Sequence, residues 1–115
     1  MNVSKDIKIN SLDFSNEGNG SKVKINVNYK GENITLEGSG KGKFEAVTKA
    51  IKNYFNSFNF ENLTYDEHAI GTGAGSHAIT YLSFENDGKK VWGVGIDRDI
   101  MTSSIYALFS AINRM

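Results

Sequence analysis

This chain is defined first by what it lacks. Its 115 residues include no cysteine, which excludes disulfide frameworks, thiolate metal sites and a cysteine nucleophile. They include no proline either, so the turns must be made by glycine, asparagine and aspartate. No apolar run reaches the length of a membrane span, and residues 1–6 lack the basic-then-apolar pattern of a signal peptide. We therefore expect a cytoplasmic protein with no membrane partner.

An excess of charge of either sign is also missing. Lys and Arg number 13, as do Asp and Glu, so the formal net charge is zero. Because proteins that bind nucleic acid usually carry a basic patch, we expect no nucleic-acid partner. The content of 39% hydrophobic and 23% charged residues is typical of a globular protein. The length suits a single domain, residues 1–115.

In the first half of the chain the spacing of apolar residues changes once, from every second residue to every third or fourth. Apolar and polar residues alternate over Val23–Tyr29, which predicts a half-buried strand. Shorter runs over Ile7–Leu12 and Ile34–Gly38 predict strands before and after it, with a turn cluster at Asn16–Ser21. Over Lys43–Phe55 the apolar residues recur three and four positions apart, which predicts an amphipathic helix.

The second half repeats this order. Strands are predicted at Leu63–Ile70, Ala78–Phe84 and Val91–Gly95, a helix at Ile100–Asn113, and turns at Gly71–Ser76 and Asn86–Gly88. A shift of 57 positions places Gly31 on Gly88, Gly38 on Gly95, Ala50 on Ala107 and Asn56 on Asn113. We therefore predict an α+β fold of duplicated βββα units, about residues 5–57 and 62–115, with antiparallel sheets packed against two helices.

The predicted second helix indicates self-association. Apolar residues cover most of its circumference, and a helix that is apolar on all sides needs partners on more than one side. One side can pack on its own sheet, and the other is covered either within the monomer or by a second subunit. Because so small a domain offers little surface to bury the helix completely, we expect a homodimer.

Two loops that lead into the predicted helices are candidate binding sites. In Gly38–Lys43 the glycines allow a ligand to approach the backbone, and the helix N-terminus that follows attracts a carboxylate or phosphate. Its glycine spacing fits neither a Walker loop nor a dinucleotide-binding motif. A tight turn between strand and helix is the alternative explanation.

The second loop, Gly95–Ile100, contains two aspartates. Asp99 is predicted to cap the helix, whereas Asp97 either faces a ligand ammonium group or complements the helix dipole. His68 and His77 have no evident carboxylate or nucleophile companion by spacing, so we expect structural roles for them. No residues form a catalytic constellation, and we expect no enzyme activity, metal or cofactor.

Taken together, the two loops resemble the C-terminal regulatory domain of the alpha-isopropylmalate synthase and citramalate synthase family. Residues 40–46, GKGKFEA, are similar to the family's G-x-G-P-V-D-A motif. Residues 93–107 are similar to its G-x-G-x-x-x-D-I-x-x-A-S-x-x-A pattern, and Ala111–Asn113 to its usual ending. The sequence differs from these motifs at Lys43, Glu45 and Ser103, where the family has proline, aspartate and alanine.

This resemblance implies a non-catalytic allosteric domain that pairs with a copy of itself. In the family the domain follows a catalytic TIM barrel, which here would lie in the same or another chain, and a bound branched-chain amino acid exerts feedback inhibition on leucine biosynthesis. Leucine is the usual effector, and isoleucine serves in citramalate synthases. By resemblance, the effector-binding residues are Gly40, Gly42, Glu45, Ala46, Asp97, Asp99, Ile100 and Ser103.

Other hypotheses remain open at the level of sequence. The main alternative is a structural homodimerisation module that has lost effector binding. A small enzyme acting on a carboxylic acid would need to depend on Asp97, Glu45 or a histidine, which the sequence gives no reason to expect. An RNA-binding domain conflicts with the neutral charge.

Overall fold

The computed structural model describes residues 7–55, 58–71 and 75–114. In chain order the elements are β1 (Ile7–Glu17), β2 (Gly20–Tyr29), β3 (Glu32–Gly40), α1 (Lys43–Tyr54), β4 (Glu61–Ile70), β5 (His77–Asn86), β6 (Lys89–Asp97) and α2 (Ile100–Asn113). The strands form two antiparallel sheets, β1-β2-β3 and β4-β5-β6. The predicted α+β fold of duplicated βββα units is confirmed.

The elements belong to two compact units. The first unit, Asp6–Asn59, contains the first sheet and α1, which packs on β3 and β2. The second unit, which includes Phe60–Met115, contains the other sheet and α2, which packs on β6 and β5. Each helix therefore covers one face of its own sheet, which we call the inner face; the opposite face is the outer face.

The strands run further than the alternation predicts. The predicted turn over Asn16–Ser21 is wrong in its extent, because β1 and β2 continue through it and the turn itself is confined to Gly18 and Asn19. Backbone hydrogen bonds extend the pairing beyond the last core side chain, where both faces of the hairpin are polar. Of the predicted turn over Gly71–Ser76, residues 72–74 lie outside the described residues.

A bulge explains the irregular alternation in β1. The pairing of β1 with β2 shifts register between Ile9 and Ser11. The extra residue allows Ile9 and Leu12, three positions apart, to pair with the inward-facing Val27 and Ile25 of β2. The uneven spacing in the sequence thus belongs to one continuous strand.

Glycines on the inner faces allow the helices to lie directly on the strands. A Cβ atom on Gly38 would lie 2.6 Å from the carbonyl oxygen of Ala46 in α1. A Cβ atom on Gly93 or Gly95 would overlap the backbone of α2. Around these contacts the buried core consists of Val23, Ile25, Val27, Leu36, Val47 and Ile51 in the first unit and Leu82, Phe84, Ile105, Leu108 and Ile112 in the second.

The outer faces of the two sheets have opposite character. On the first sheet a set of asparagine side chains is hydrogen-bonded across the strands: Asn10, Asn26, Asn28 and Asn33. On the second sheet the strand register brings large apolar residues together, and most of them are exposed. We call this set the outer apolar face, and it comprises Ile79, Tyr81, Trp92, Val94 and Ile96.

The surface of α2 is less apolar than its sequence indicated. Most of its apolar side chains are buried, whereas Ile100 and Tyr106 are exposed. Burial of α2 within the monomer, the alternative considered above, is therefore favoured, and among the described residues most of the exposed large apolar side chains lie on β4, β5 and β6. Within the described ranges, no helix is long and apolar enough to cross a membrane.

The contact between Gly38 and α1 predicts a position-dependent effect of alanine. Gly38→Ala should lower the free energy of unfolding by about 1–3 kcal/mol, because the added methyl group meets backbone that cannot move aside. Gly42→Ala, four residues along, should change it by less than about 1 kcal/mol, because a Cβ atom there meets nothing within 4 Å. Urea unfolding of both variants measures the difference, and equal midpoints would contradict the packing described.

Candidate functional site

The four residues predicted in the first unit lie together at the start of α1. Gly42 is the N-cap and provides no side-chain acceptor, and its carbonyl oxygen accepts a hydrogen bond from the Ala46 amide at 3.0 Å. The Glu45 carboxylate turns back and accepts from the Lys41 amide at 2.6 Å. A Cβ atom on Gly40 would lie 2.7 Å from this carboxylate, so Gly40 leaves the space that Glu45 occupies.

This arrangement favours the ionised form of Glu45. The hydrogen bond from the Lys41 amide, followed by the positive charge of Lys49, holds the pKa of the Glu45 carboxyl below its ordinary value of 4.5. A negative charge in the first turn is also favourable to the helix dipole. In the structure Glu45 therefore stabilises the turn that leads into α1.

The second helix begins with a different set of contacts. The Asp99 carboxylate accepts hydrogen bonds from the Thr102 amide and hydroxyl, both at 2.8 Å, so the predicted cap is confirmed. The Asp97 carboxylate accepts from the Asp99 amide at 2.9 Å. Both aspartates thus fix the backbone around Arg98, the residue between them.

Ser103 faces the sheet instead of solvent. It is fully buried, and its hydroxyl lies 2.8 Å from that of Thr80 on β5 and 2.7 Å from the carbonyl oxygen of Ile100. Ile100, by contrast, has 55% of its surface exposed. Of these two predicted residues, Ile100 has a side chain available to a ligand.

A pocket of about 190 Å³ lies at the end of the second sheet beside the start of α2. We call it the second-unit pocket, and its walls come from the end of β4, the start of β5 and the loop into α2. The lining residues are Glu67, His68, Ala69, Ser76, His77, Ala78, Arg98 and Ile100. Ile100 is thus shared by this pocket and the predicted site.

The pocket combines opposite charges with an apolar wall. Glu67 contributes a carboxylate and Arg98 a guanidinium group, whereas Ala69, Ala78 and Ile100 contribute apolar surface. Glu67 and Arg98 were not among the residues predicted from the sequence. The sequence held a signal for Glu67, because this acidic residue takes an apolar position in the alternation between Tyr65 and Ala69. The structure places it opposite Thr80 on the inner face.

Both histidines line the same pocket. His77 Nδ1 lies 3.0 Å from the Gly75 carbonyl oxygen, and since a carbonyl can only accept, Nδ1 carries the proton. The His68 ring lies against Tyr81, with 6.0 Å between the ring centroids. Among the described residues, no group of three or more histidine, aspartate or glutamate side chains could hold a metal ion.

The first unit has a pocket of the same size at the equivalent place. It also measures about 190 Å³ and is lined by Phe14, Ser15, Asn16, Ser21 and Lys43. The strand register makes Phe14 the counterpart of Glu67, because Phe14 pairs with Val23 as Glu67 pairs with Thr80. The Lys43 ammonium group lies 5.3 Å from the centre of the Phe14 ring. The duplicated fold thus makes this pocket twice, and in the second unit its lining carries both signs of charge.

The whole chain matches one known family. Residues 2–115 match the model of the LeuA allosteric (dimerisation) domain. The chain therefore belongs to the LeuA allosteric (dimerisation) domain family, in agreement with the resemblance of its two loops.

Similar proteins include three bacterial enzymes named 2-isopropylmalate synthase. That of Helicobacter hepaticus is 40% identical over 97 residues, which is 81% of this chain and 17% of that protein. Those of Desulfitobacterium hafniense and Clostridium acetobutylicum are 36% and 37% identical over 100% and 96% of this chain, in each case 20% of the relative. The chain thus spans about a fifth of these relatives and corresponds to the regulatory domain, not to a catalytic one.

The lowered pKa of Glu45 predicts a pH-dependent contribution to stability. Because the folded state favours the ionised carboxylate, this contribution is present above the ordinary pKa of 4.5 and is lost as the pH falls through the lower folded value. Glu45→Gln should therefore be less stable than the wild type at pH 7, and the gap should close on acidification.

Thermal unfolding between pH 7 and pH 3 measures this gap, with Glu32→Gln as the control for loss of one exposed charge. A gap between wild type and Glu45→Gln that stays constant over this range would show that the Glu45 charge does not stabilise the turn.

Proposed function

We propose that this chain is the effector-binding part of a cytoplasmic 2-isopropylmalate synthase. The chain binds a branched-chain amino acid, with leucine as the first candidate. The bound amino acid then exerts feedback inhibition on acyl transfer by a catalytic barrel in the same or another chain. The observation that carries the proposal is the second-unit pocket, where a carboxylate, a guanidinium group and an apolar wall line one cavity.

The lining of this pocket complements each part of a free amino acid. Arg98 can form a two-point ion pair with the ligand carboxylate, and Glu67 can accept hydrogen bonds from the ligand ammonium group. Ala69, Ala78 and Ile100 offer apolar surface to a branched side chain. A ligand with both charges and an aliphatic side chain is therefore favoured over a purely anionic or purely apolar one.

The size of the pocket also favours a small metabolite. Sites for drug-sized ligands usually measure about 300–1,000 Å³, and this pocket measures about 190 Å³. Branched-chain amino acids carry few heavy atoms, so a cavity of this volume suits them better than a nucleotide or a coenzyme.

The residues assigned by resemblance have supporting roles in this proposal. Asp97 and Asp99 hold the loop that presents Arg98 and Ile100 to the pocket. Ser103 fixes the carbonyl group of Ile100. The first-unit residues Gly40, Gly42, Glu45 and Ala46 form the equivalent loop before α1, and an effector contact there stays a prediction.

Substitution of Arg98 tests the pocket directly. Leucine should bind the wild-type chain, and Arg98→Gln should weaken binding by about 10- to 100-fold, because a hydrogen-bonded charge is lost. Arg114→Gln removes the same charge at the end of α2 and should leave the affinity within about twofold, a negligible free-energy change. Isothermal titration calorimetry with L- and D-leucine, isoleucine and valine measures these affinities.

Two outcomes would contradict the effector proposal. If no amino acid binds at millimolar concentration, the chain is a homodimerisation module that has lost effector binding. If leucine binds the wild type, Arg98→Gln and Arg114→Gln with the same affinity, the second-unit pocket is not the site.

We further propose that the homodimer forms through the outer apolar face of the second sheet. In a two-fold dimer the same patch meets itself, so it must be self-complementary, and apolar side chains meet this condition without like-charge repulsion. The Lys90 ammonium group lies 4.9 Å from the centre of the Trp92 ring. Trp92 is 54% exposed, Ile96 51% and Tyr81 45%, which is a large apolar area for a sheet face. The family's description as a dimerisation domain supports a second copy as the occupant.

The duplication provides a matched pair of variants for this face. Trp92 and Thr35 occupy equivalent positions of the two sheets, opposite Ser83 and Asn26 respectively. Trp92→Glu should shift the chain to a monomer, because it places like charges across the two-fold axis, whereas Thr35→Glu should leave the dimer intact. Sedimentation equilibrium measures the dissociation constants. A dimer that tolerates Trp92→Glu as well as Thr35→Glu would place the interface elsewhere.

A further inference from the structure

Three buried hydroxyl groups lie between α2 and β5, and two of them contact residues that line the second-unit pocket. Thr80 on β5 and Ser103 and Ser104 on α2 have at most 2% of their surface exposed. The Thr80 hydroxyl lies 2.8 Å from that of Ser103 and 3.3 Å from that of Ser104. The hydroxyl cluster thus joins α2 to β5.

Ser104 contacts both walls of the pocket. Its hydroxyl lies 2.7 Å from the Glu67 carboxylate on β4 and 3.1 Å from the Ile100 carbonyl oxygen on α2. Because a serine hydroxyl has a single proton, it donates to the closer and charged acceptor, Glu67. Glu67 and Ile100 are both lining residues. Because Ser104 and Ile100 both belong to α2, the hydrogen bond to Glu67 links β4 to the helix that carries Ile100.

The first unit lacks this cluster. The shift of 57 positions places Val23 on Thr80, Ala46 on Ser103 and Val47 on Ser104. All three are apolar and buried, and the equivalent pocket has Phe14 in place of Glu67. The same helix–sheet packing is therefore possible without hydroxyl groups, so the fold alone does not require them in the second unit.

We propose that Ser104 is a positioning residue that fixes the width of the second-unit pocket and thereby its selectivity among branched-chain amino acids. This inference rests on the proposed function of that pocket. Ser104 holds the Glu67 carboxylate by a charge-assisted hydrogen bond, which is stronger than a neutral one. Because this bond holds β4 against the helix that carries Ile100, a side chain of the wrong shape cannot be accommodated by a small movement of Glu67 away from Ile100.

Removal of the hydroxyl group should loosen the pocket. Ser104→Ala should weaken leucine binding about tenfold, which corresponds to about 1.4 kcal/mol, and should reduce the ratio of affinities for leucine, isoleucine and valine. Ser104→Thr retains the hydroxyl group and should restore the selectivity. The control is Val47→Ala, which truncates the equivalent buried position of the first unit and should leave the affinities unchanged. Calorimetric titration of each variant with the three amino acids gives these ratios.

A second measurement tests, without a ligand, whether the Ser104 hydroxyl holds Glu67 in place. Hydrogen exchange of the backbone amides of residues 67–69 should be faster in free Ser104→Ala than in the wild type, and Val47→Ala should not change it. Should the alanine variant fail to fold, Ser104→Cys keeps the volume and replaces the hydroxyl group by a weak donor.

The outcomes separate this inference from the proposed function. If the wild type binds no amino acid and Ser104→Ala still accelerates exchange at residues 67–69, the positioning of Glu67 by Ser104 is supported and the effector proposal fails. If Ser104→Ala exchanges and discriminates like the wild type, Ser104 does not position the pocket and this inference is overturned.

Discussion

The close approach of each helix to its sheet is the constraint on which the rest of the structure depends. Gly38 in the first unit and Gly93 and Gly95 in the second leave no side chain between strand and helix, so the backbones come into direct contact. A methyl group at any of these positions would push the helix away from the strand. The helix N-terminus, the ends of the first two strands and the pocket they enclose would then move apart.

The two units satisfy this constraint with different side chains. At α1 the Glu45 carboxylate reaches back to the Lys41 amide, whereas at α2 the Asp99 carboxylate reaches forward to Thr102. The duplication thus retained the backbone contacts and left the loops and outer faces free to diverge. The second unit now carries the opposite charges, the buried hydroxyl groups and the apolar outer face.

The order of strands and helices was predictable because hydrophobic periodicity reports which side chains meet the core. The Asp99 cap was predictable for a similar local reason. The bulge after Ile9 and the full strand lengths were not, because backbone hydrogen bonds set them. The pocket was missed because Glu67 and Arg98 are 31 positions apart, and their proximity depends on strand register and on the loop into α2.

The central claim is that the second-unit pocket binds a free amino acid through Glu67 and Arg98. The most direct test is a titration of the isotope-labelled chain with leucine, followed by amide chemical-shift changes in NMR spectra. The account predicts that the largest changes cluster at residues 67–69, 76–78 and 98–100. Changes centred on the first-unit pocket, at residues 14–16, 21 and 43, or no change at millimolar leucine, would contradict it.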